Sequence, residues 1–462
     1  MKIQVKNLGI LDQAEFELGD LTIICGGNNT GKTYATYALF GFLSTWRDLF
    51  VIEIDDNKIE ELLTDGVTRF EIQDYVAQAN QIIAHGCEAY VKQLPNIFAA
   101  SSERFKDTWF QVVIDIQNIN LKPAFERKMS TTNAELFLIT KKADSTELVV
   151  TLLVEKEKVK IPMDVLKLVI ADALKEIIFE PLFPRPFIMS AERTGVAIFR
   201  KELNFDRNRL LEEIGPADKK VNKMDLFLKD YTDYALPIKR NIDFTRSFEM
   251  ISKNTSFITE NHPQILDLFG DIAEGDYTIT SNGLLYYVPK GNKRIKLLMD
   301  EASSSVRSLL LMAFYLKYDA QVGDLLMIDE PELNLHPENQ RRVARLLARL
   351  VNIGIKVFVT THSDYIIKEL NTLIMLNHDK PHLKRIAKDE GYQPNELLSA
   401  NQIKVYNAEL AAIKLEGHPR KKKYQTLTPA NIDPELGIEV RSFDTAIETM
   451  NRIQEAIIWR GA

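Results

Sequence analysis

The segment GGNNTGKT at residues 26–33 restricts the fold of this chain more than any other stretch of its sequence. It follows LTIIC, residues 21–25, an apolar run with the length of a buried strand, and it leads into the helix-like YATYALFGFL. Gly26 and Gly31, with Lys32 and Thr33, match the pattern G-x-x-x-x-G-K-[ST]. A strand, a glycine-rich loop and a helix in this order form the usual setting of a phosphate-binding loop.

We predict that the whole loop binds a nucleotide. Backbone N–H groups and the helix N-terminus would hold the phosphates, the Lys32 ammonium would neutralise the β and γ oxygens, and the Thr33 hydroxyl would ligate Mg²⁺. ATP and Mg²⁺ are therefore the predicted substrate and cofactor. The predicted nucleotide-binding residues are Gly26, Gly27, Asn28, Asn29, Thr30, Gly31, Lys32 and Thr33.

A second, acidic motif adds the other half of a nucleotide site. In LLMIDEPELNLHP, four apolar residues precede Asp329, so its carboxylate is expected at the carboxyl end of a buried strand, where it can hold the Mg²⁺ shell. Glu330 is then the predicted catalytic base that orients or deprotonates the attacking water. The alternative for an Asp-Glu pair is a plain turn at a strand end.

His362, in KVFVTTHSD, stands at the end of another apolar strand. A histidine in that position alone is more often structural than catalytic. Beside the two preceding motifs, we predict a catalytic role: His362 would contact the γ-phosphate or the attacking water and sense whether the phosphate is still present.

Strand and helix patterns alternate late in the chain, which predicts a parallel sheet and an α/β fold. Lys32 and Asp329 are 297 positions apart (329 − 32), so large insertions must project from the core. A β-meander is predicted shortly before the serine run of DEASSSVRSLLLM. The predicted segments are an N-terminal lobe with the phosphate loop (1–43), a mixed helix and strand insertion with part of that lobe (44–181), a loop with a helical insertion (182–263), the rest of the core (264–376) and a C-terminal α/β extension (377–462).

Composition excludes several classes of protein. The 462 residues are 45% hydrophobic and 27% charged, which is typical of a globular chain with enough length for more than one core. The net charge of -7 argues against an evenly basic nucleic-acid coat but leaves a local patch open. Because Cys25 and Cys87 are too few for a disulfide framework, and no apolar run approaches the ~20 residues of a membrane span, we expect a cytoplasmic protein outside the membrane.

Taken together, the motifs resemble those of the RecF, SMC and overcoming-lysogenization-defect class of ABC-type AAA ATPases. More narrowly, they resemble the ATPase subunits of bacterial phage-defence systems such as Septu and PARIS, without the nuclease domain of the overcoming-lysogenization-defect proteins. The resemblance implies an α/β P-loop NTPase fold, an ABC-type ATPase head with helical insertions. The matching segments are the N-terminal strands, GGNNTGKT, SAERTG, ASSSVRS, IDEPELNLHP and TTHSDYI.

The resemblance gives the serine run a second role. ASSSVRS, residues 302–308, aligns with the family signature L-S-G-G-x-R-S, so that Ser303 takes the place of the serine that binds the γ-phosphate of the opposite head, with Ser304 beside it in trans. Ser304 and Ser305 replace two glycines of that signature. The residues themselves predict a helix N-cap, since a serine hydroxyl accepts from the free N–H groups of a first turn. One serine can serve in both ways.

SAERTG stands where the family has its Q-loop, but it contains no glutamine. Ser190, Glu192 or Arg193 can reach the metal or a phosphate there, and Glu192 joins Thr33 and Asp329 among the predicted metal ligands. A surface loop with a local ion pair is the alternative. In the stretch that resembles the D-loop, Asn334 and His336 are expected to face a partner subunit.

The resemblance implies paired heads that sandwich two ATP molecules, in a dimer or a larger homo-oligomer. Such an ATPase would be the sensor subunit of an antiphage complex, respond to a phage protein and control a separate effector nuclease, because no nuclease motif follows His362. A RecF- or SMC-like repair ATPase that clamps DNA is the alternative, and a transporter subunit ranks third. The RKKK run at residues 420–423 is expected to be solvated, which leaves nucleic-acid binding open.

Overall fold

The computed structural model describes residues 1–116, 119–130, 135–154, 162–199, 234–280, 283–292, 294–413, 421–439 and 441–459. Residues 200–233 of the predicted helical insertion and Arg420 of the basic run lie outside the described residues. The chain divides into two units. The first comprises Met1–Gln4, Phe42–Gln93 and Trp109–Pro184, and the second comprises Val5–Gly41, Leu94–Thr108 and Arg185–Ala462.

Strands and helices occur throughout the described ranges, joined by turns and loops. The strands are β1 (Lys2–Leu8), β2 (Leu11–Glu17), β3 (Leu21–Cys25), β4 (Val67–Glu71), β5 (Trp109–Val113), β6 (Phe125–Ser130), β7 (Glu135–Lys141), β8 (Glu147–Leu152), β9 (Pro186–Met189), β10 (Gly275–Ile279), β11 (Leu285–Pro289), β12 (Leu297–Leu298), β13 (Leu325–Asp329), β14 (Lys356–Thr361), β15 (Ile403–Ile413), β16 (Lys422–Pro429), β17 (Ile432–Asp433) and β18 (Gly437–Ile438). The α-helices are α1 (Lys32–Leu49), α2 (Asp56–Asp65), α3 (Ile72–Val91), α4 (Leu94–Phe98), α5 (Met163–Phe179), α6 (Arg193–Ile198), α7 (Leu236–Arg246), α8 (Phe248–Ile251), α9 (Phe257–Asn261), α10 (Pro263–Ala273), α11 (Ser304–Phe314), α12 (Pro337–Asn352), α13 (Asp364–Met375), α14 (Pro381–Asp389) and α15 (Arg441–Trp459).

A six-stranded sheet in the order β16-β15-β3-β14-β13-β9 organises the second unit. Its strands pair in parallel except β16, which runs antiparallel to β15. Every residue of β3 and β13 is buried, as expected for parallel strands whose two faces are both covered. This sheet confirms the predicted parallel α/β core.

The register of this sheet brings three strand ends together. Cys25, the last residue of β3, pairs with Thr361 at the end of β14. Asp329, the last residue of β13, pairs with Thr360. Because parallel strands all end at the same edge, the segments that follow β3, β13 and β14 begin side by side.

Helices α11, α12 and α13 belong to the core of the second unit. Ser303 caps α11, and most of that helix is buried. In α12, apolar residues recur at helical spacing and are buried, so one face of the helix packs into the core. The buried carboxylate of Glu396 accepts hydrogen bonds from Arg345 and Arg349 of the polar face, which ties α12 to the chain after α14. The predicted β-meander is present as the antiparallel sheet β10-β11-β12.

The first unit has its own antiparallel sheet, in the order β4-β8-β7-β6. Its core is aromatic: the rings of Phe42, Phe50 and Phe183 contact one another with centroids 5.6 to 6.2 Å apart. Both cysteines are buried free thiols. Among the described residues, none of the helices combines the length and the hydropathy that crossing a bilayer requires.

Candidate active site

Two glycines of the loop 26–33, Gly26 and Gly31, are required by its backbone geometry. Gly26 has φ +146°, and a Cβ there would lie 2.6 Å from the carbonyl oxygen of Ala408. Gly31 has φ +98°, and a Cβ there would lie 2.6 Å from the side chain of Leu11. Any side chain at either position would be strained and would collide with its surroundings. The loop is therefore a glycine-dependent backbone cradle, and backbone N–H groups in such a turn are suited to bind a phosphate group.

Lys32 lies over this cradle and is only 6% exposed. Its ammonium donates to the carbonyl oxygens of Gly26, at 2.9 Å, and Gly27, at 2.8 Å. The hydroxyl of Thr30 also donates to Gly27, at 2.8 Å, which closes the loop on itself. Since an ammonium has three donors and two are used, the third can be given to a phosphate oxygen.

Thr33 and Asp329 meet at the edge of the sheet. The Thr33 hydroxyl donates to one carboxylate oxygen of Asp329 at 3.4 Å, and the Thr360 hydroxyl donates to the other. Burial raises the pKa of Asp329, and the charges of Glu330 and Glu192 raise it further, while the bond from Thr360 lowers it. A hydroxyl beside a carboxylate in a locally negative pocket is a donor set suited to Mg²⁺.

The three candidates of SAERTG have different environments. The carboxylate of Glu192 is exposed and accepts a hydrogen bond of 3.3 Å from the Tyr37 hydroxyl. Ser190 is fully buried, and its N–H donates to the side chain of Asn241 at 2.9 Å. Arg193 is 3% exposed and donates to backbone carbonyls. Of the three, only Glu192 presents an accessible acidic group that acts electrostatically on Asp329.

Glu330 and His362 lie side by side after β13 and β14. The backbone of Glu330 is left-handed, with φ +53°, and its N–H donates to the Thr360 carbonyl at 3.0 Å. Its half-buried carboxylate lies 3.6 Å from Nδ1 of His362. The structure therefore brings together the predicted base and the predicted phosphate sensor from segments separated by an entire helix.

Glu332 is a member of this site that the motifs did not single out. One of its carboxylate oxygens accepts from the Thr361 hydroxyl at 2.9 Å and from the His362 N–H at 2.8 Å, and it lies 3.4 Å from Nδ1 of His362. The other oxygen is buried without a hydrogen-bond partner in the described part of the chain. The signal was present in DEPELNLHP, where a second acid follows Glu330 across a proline. We call Asp329, Glu330, Glu332 and His362 the catalytic corner.

The serine segment, Ser303–Ser305, forms the start of helix α11. The Ser303 hydroxyl accepts from the Val306 N–H at 3.3 Å, which confirms the predicted N-cap, and it lies 2.8 Å from the Ser305 hydroxyl. Ser303 and Ser304 are exposed. Among the described residues, no hydrogen bond joins either of them to the loop 26–33. In this chain alone, the segment is a solvent-facing helix start.

Asn334 and His336, which are predicted to face a partner subunit, are also exposed. Asn334 has a left-handed backbone, with φ +60°. His336 is the N-cap of α12, and its Nδ1 accepts from the Glu338 N–H at 3.4 Å. Their surroundings leave both side chains accessible to another molecule.

The predicted C-terminal extension contributes to the loop itself. Strand β15 lies directly beside β3, and its Ala408 carbonyl lies next to Gly26. From β16, the Gln425 side chain donates to the Thr30 carbonyl at 2.9 Å, and the Gln425 N–H donates to Asp12 at 2.7 Å. No local motif marks Gln425, because its place depends on the pairing of distant strands.

Comparison with known proteins agrees with this geometry. The sequence model of a family described as AAA ATPase domain matches residues 1–367. This match, with the sheet topology, confirms the predicted fold class, an α/β P-loop NTPase of the ABC-type ATPase head. No curated protein matches the chain.

Solved structures of SMC heads are similar at low identity. An SmcHead bound to the C-winged helix domain of ScpA is 12% identical with a TM-score of 0.33, over 91% of this chain and 96% of that one. The SMC head domain from Thermotoga maritima is 11% identical with a TM-score of 0.29, over 93% and 98%. The Smc head from Pyrococcus furiosus, with an extended coiled coil and bound to the C-terminal domain of ScpA, is 12% identical with a TM-score of 0.29, over 98% of both chains.

Proposed function

The chain belongs to the AAA ATPase domain family, and we propose that it binds ATP at the loop 26–33 and hydrolyses it at the catalytic corner. One observation carries the proposal. Lys32, the Thr33–Asp329 pair at 3.4 Å and the Glu330–His362 pair at 3.6 Å converge at one edge of one sheet, although they come from distant parts of the sequence. A convergence of this kind is what phosphoryl transfer requires, since its catalysis is mostly positioning and charge stabilisation.

Each side chain has a separate task in this proposal. The loop N–H groups and Lys32 bind the phosphates, while Thr33 and Asp329, with Glu192 as a weaker candidate, would hold Mg²⁺. Bound Mg²⁺ supplies charge neutralisation for the phosphate oxygens. Glu330 accepts a proton from the water that attacks the γ-phosphorus.

Glu332 orients His362 within this site. It binds the backbone N–H of His362 and lies beside Nδ1, so the carboxylate favours a proton on Nδ1 and leaves Nε2 for the γ-phosphate or the attacking water. The same carboxylate joins the ends of β13 and β14 through Thr361. The histidine would thus keep its orientation before any nucleotide arrives.

We further propose that two heads pair to complete each site. Ser303 and Ser304 are exposed at the N-terminus of α11, where free N–H groups and the helix dipole favour an anion. These serines would contact the ATP held by the opposite head. Asn334 and His336, both exposed, would face the partner across the same interface.

The cellular role that we propose is that of a cytoplasmic sensor subunit in an antiphage complex. ATP-dependent closure of the heads would hold or release a separate effector nuclease when a phage protein is present. The support for this role is the combination of motifs that resembles the phage-defence ATPases, which includes SAERTG without a glutamine and the serine-rich signature.

A reconstitution tests the ATPase and the cellular role separately. Purified protein should hydrolyse ATP, and cells that carry the gene with its neighbours should resist phage in a manner that requires Lys32. An ATPase without protection, whose salt-sensitive affinity for duplex DNA increases with ATP, would instead indicate a DNA-clamping repair ATPase. Absence of both nucleotide binding and turnover would overturn the ATPase proposal.

A further inference from the structure

We propose that Arg193 is a positioning residue that fixes the direction in which the Glu330 side chain leaves the backbone and joins this residue to helix α11, which Ser303 caps. The inference rests on the proposed function, because it concerns hydrolysis by Glu330. The SAERTG motif alone leaves Arg193 as a candidate for contact with metal or phosphate, whereas its contacts in the structure indicate a different role.

The guanidinium of Arg193 holds the peptide groups on both sides of the Glu330 Cα. Its Nη1 donates to the Asp329 carbonyl and its Nη2 donates to the Glu330 carbonyl, both at 2.6 Å. A guanidinium is planar and rigid, so these two bonds fix the orientation of two consecutive peptide planes. With both planes fixed, the backbone torsions of Glu330 are fixed, and so is the direction in which its side chain leaves the backbone.

The conformation that is held in this way is an unfavourable one. Glu330 has φ +53°, in the left-handed region that residues with a Cβ usually avoid because the Cβ approaches the following carbonyl oxygen. Such a residue persists only where its surroundings determine it from several sides. Here the two bonds from Arg193 and the bond of 3.0 Å from the Glu330 N–H to the Thr360 carbonyl provide that determination.

A third contact leads from the catalytic corner to α11. Nε of Arg193 donates to the Ser308 carbonyl at 3.0 Å, one turn into the helix that Ser303 caps. Nη1 also donates to the Ser190 carbonyl at 3.1 Å, which anchors the arginine to its own segment. One side chain therefore spans the end of β13, the SAERTG segment and α11, and a movement of the Glu330 peptide is transmitted to the serine segment.

The surroundings exclude Arg193 as a ligand of phosphate. It is 3% exposed, and the four hydrogen bonds above occupy four of its five N–H donors. Burial lowers the pKa of Arg193 to about 10, which still leaves it charged at neutral pH. All four acceptors are backbone carbonyls, so the guanidinium holds the backbone of the site in place.

Arg185 offers a matched control. It also lies beside β13, but its guanidinium forms two bonds with the carboxylate of Asp324, at 2.8 and 2.7 Å. In the described part of the chain it has no contact with the catalytic corner. Arg185→Met therefore removes a structural arginine, and Arg193→Met removes the proposed positioning residue.

In the proposed pair, each ATP site is built from the P-loop of one head and the Ser303 of the other. The experiment uses mixed pairs of heads in which one of the two sites remains intact. When a Lys32→Ala head pairs with a Ser303→Arg head, the intact site takes its P-loop and Glu330 from the Ser303→Arg head, and its Ser303 from the Lys32→Ala head. Arg193→Met in the Ser303→Arg head then tests the positioning of Glu330. The same change in the Lys32→Ala head tests only the connection to α11.

We expect ATP turnover to fall at least about tenfold in the first arrangement and about threefold in the second, with ATP affinity unchanged by titration calorimetry. Arg185→Met in either head should leave turnover within about twofold. Unchanged turnover in the first arrangement would overturn the positioning of Glu330, and unchanged turnover in the second would overturn the connection to α11.

A measurement without nucleotide separates this inference from the proposed function. In hydrogen exchange, Arg193→Met should accelerate exchange in peptides that cover residues 329–333 and 304–308 together, and Arg185→Met should not. If the wild type binds ATP but hydrolyses none, the proposed function fails, and the exchange pattern still decides the role of Arg193. Identical exchange in Arg193→Met and wild type would refute it.

Discussion

The catalytic corner and the serine segment differ in how much of their chemistry one chain supplies. In the corner, Asp329 binds Thr33 and Thr360, and Glu332 binds Thr361 and the backbone of His362. Within the described part of the chain, the hydroxyls of the serine segment bind one another and their own helix. The corner is thus arranged before any ligand arrives, whereas the serine segment forms an exposed helix start whose proposed ligand belongs to the opposite head. Variants can test whether each head hydrolyses ATP at its own catalytic corner, while the serine segment of the opposite head recognises that ATP.

The largest effect on ATP affinity is expected for Lys32. Lys32→Ala removes the ammonium over the loop, so ATP affinity should fall by at least about a hundredfold, measured by titration calorimetry. Lys356→Ala is the control, because that lysine pairs with Asp20 at 3.5 Å on the surface and its loss should leave affinity unchanged. Wild-type affinity in Lys32→Ala would refute the phosphate-binding loop.

Glu330→Gln should affect turnover and leave nucleotide binding intact. The amide keeps the shape of the side chain but cannot accept the proton, so turnover should fall about 10²- to 10⁴-fold while ATP stays bound. Glu338→Gln, on the exposed first turn of α12, serves as the control. Steady-state phosphate release measures the effect, and normal turnover in Glu330→Gln would exclude it as the base.

Ser303→Asp distinguishes recognition in trans from a helix cap. Aspartate caps a helix as well as serine does, so the free energy of unfolding should stay within about 0.5 kcal/mol of wild type. If the γ-phosphate of the opposite head binds there, the new charge repels it, and turnover should fall at least about tenfold while each head still binds ATP. If turnover and ATP-dependent pairing of the heads equal those of the wild type, the serine segment acts as a helix cap and does not bind the ATP of the opposite head.

Glu332→Gln should have the smallest of these effects. The amide oxygen can still accept from Thr361, but the negative charge beside Nδ1 of His362 is lost, so turnover should fall about three- to tenfold at constant ATP affinity. In a His362→Gln background the same change should not lower turnover any further. Glu369→Gln, another buried glutamate, is the control. Additive losses in the double variant would contradict action through His362.

Local sequence predicted the parts of the site that follow single strands. Lys32, Asp329 and His362 each follow an apolar run, and the ends of parallel strands meet at one edge, so their convergence could be foreseen from pattern alone. The N-cap role of Ser303 was predicted for the same reason, since it depends only on the four residues that follow it.

Other parts depend on contacts between distant segments. Arginine is a residue type that is usually exposed. Arg193 is buried because it donates to carbonyl groups of β13 and α11, and no spacing within SAERTG encodes those contacts. Gln425 reaches the loop only because β16 pairs with β15 and β15 with β3. Glu332 lies between these cases, because its proximity to Glu330 was visible but its bond to the turn after β14 was not.

The position of β3 between β14 and β15 has a consequence for synthesis of the chain. Leu21 pairs with Val357 on one side and with Ile403 on the other, so the strand that leads into the phosphate loop is synthesised long before either of its two neighbours. Until then both of its edges are open to other chains, and closing such long loops slows folding. A chain stalled on the ribosome before β15 should therefore fail to retain ATP and should recruit chaperones at its first forty residues.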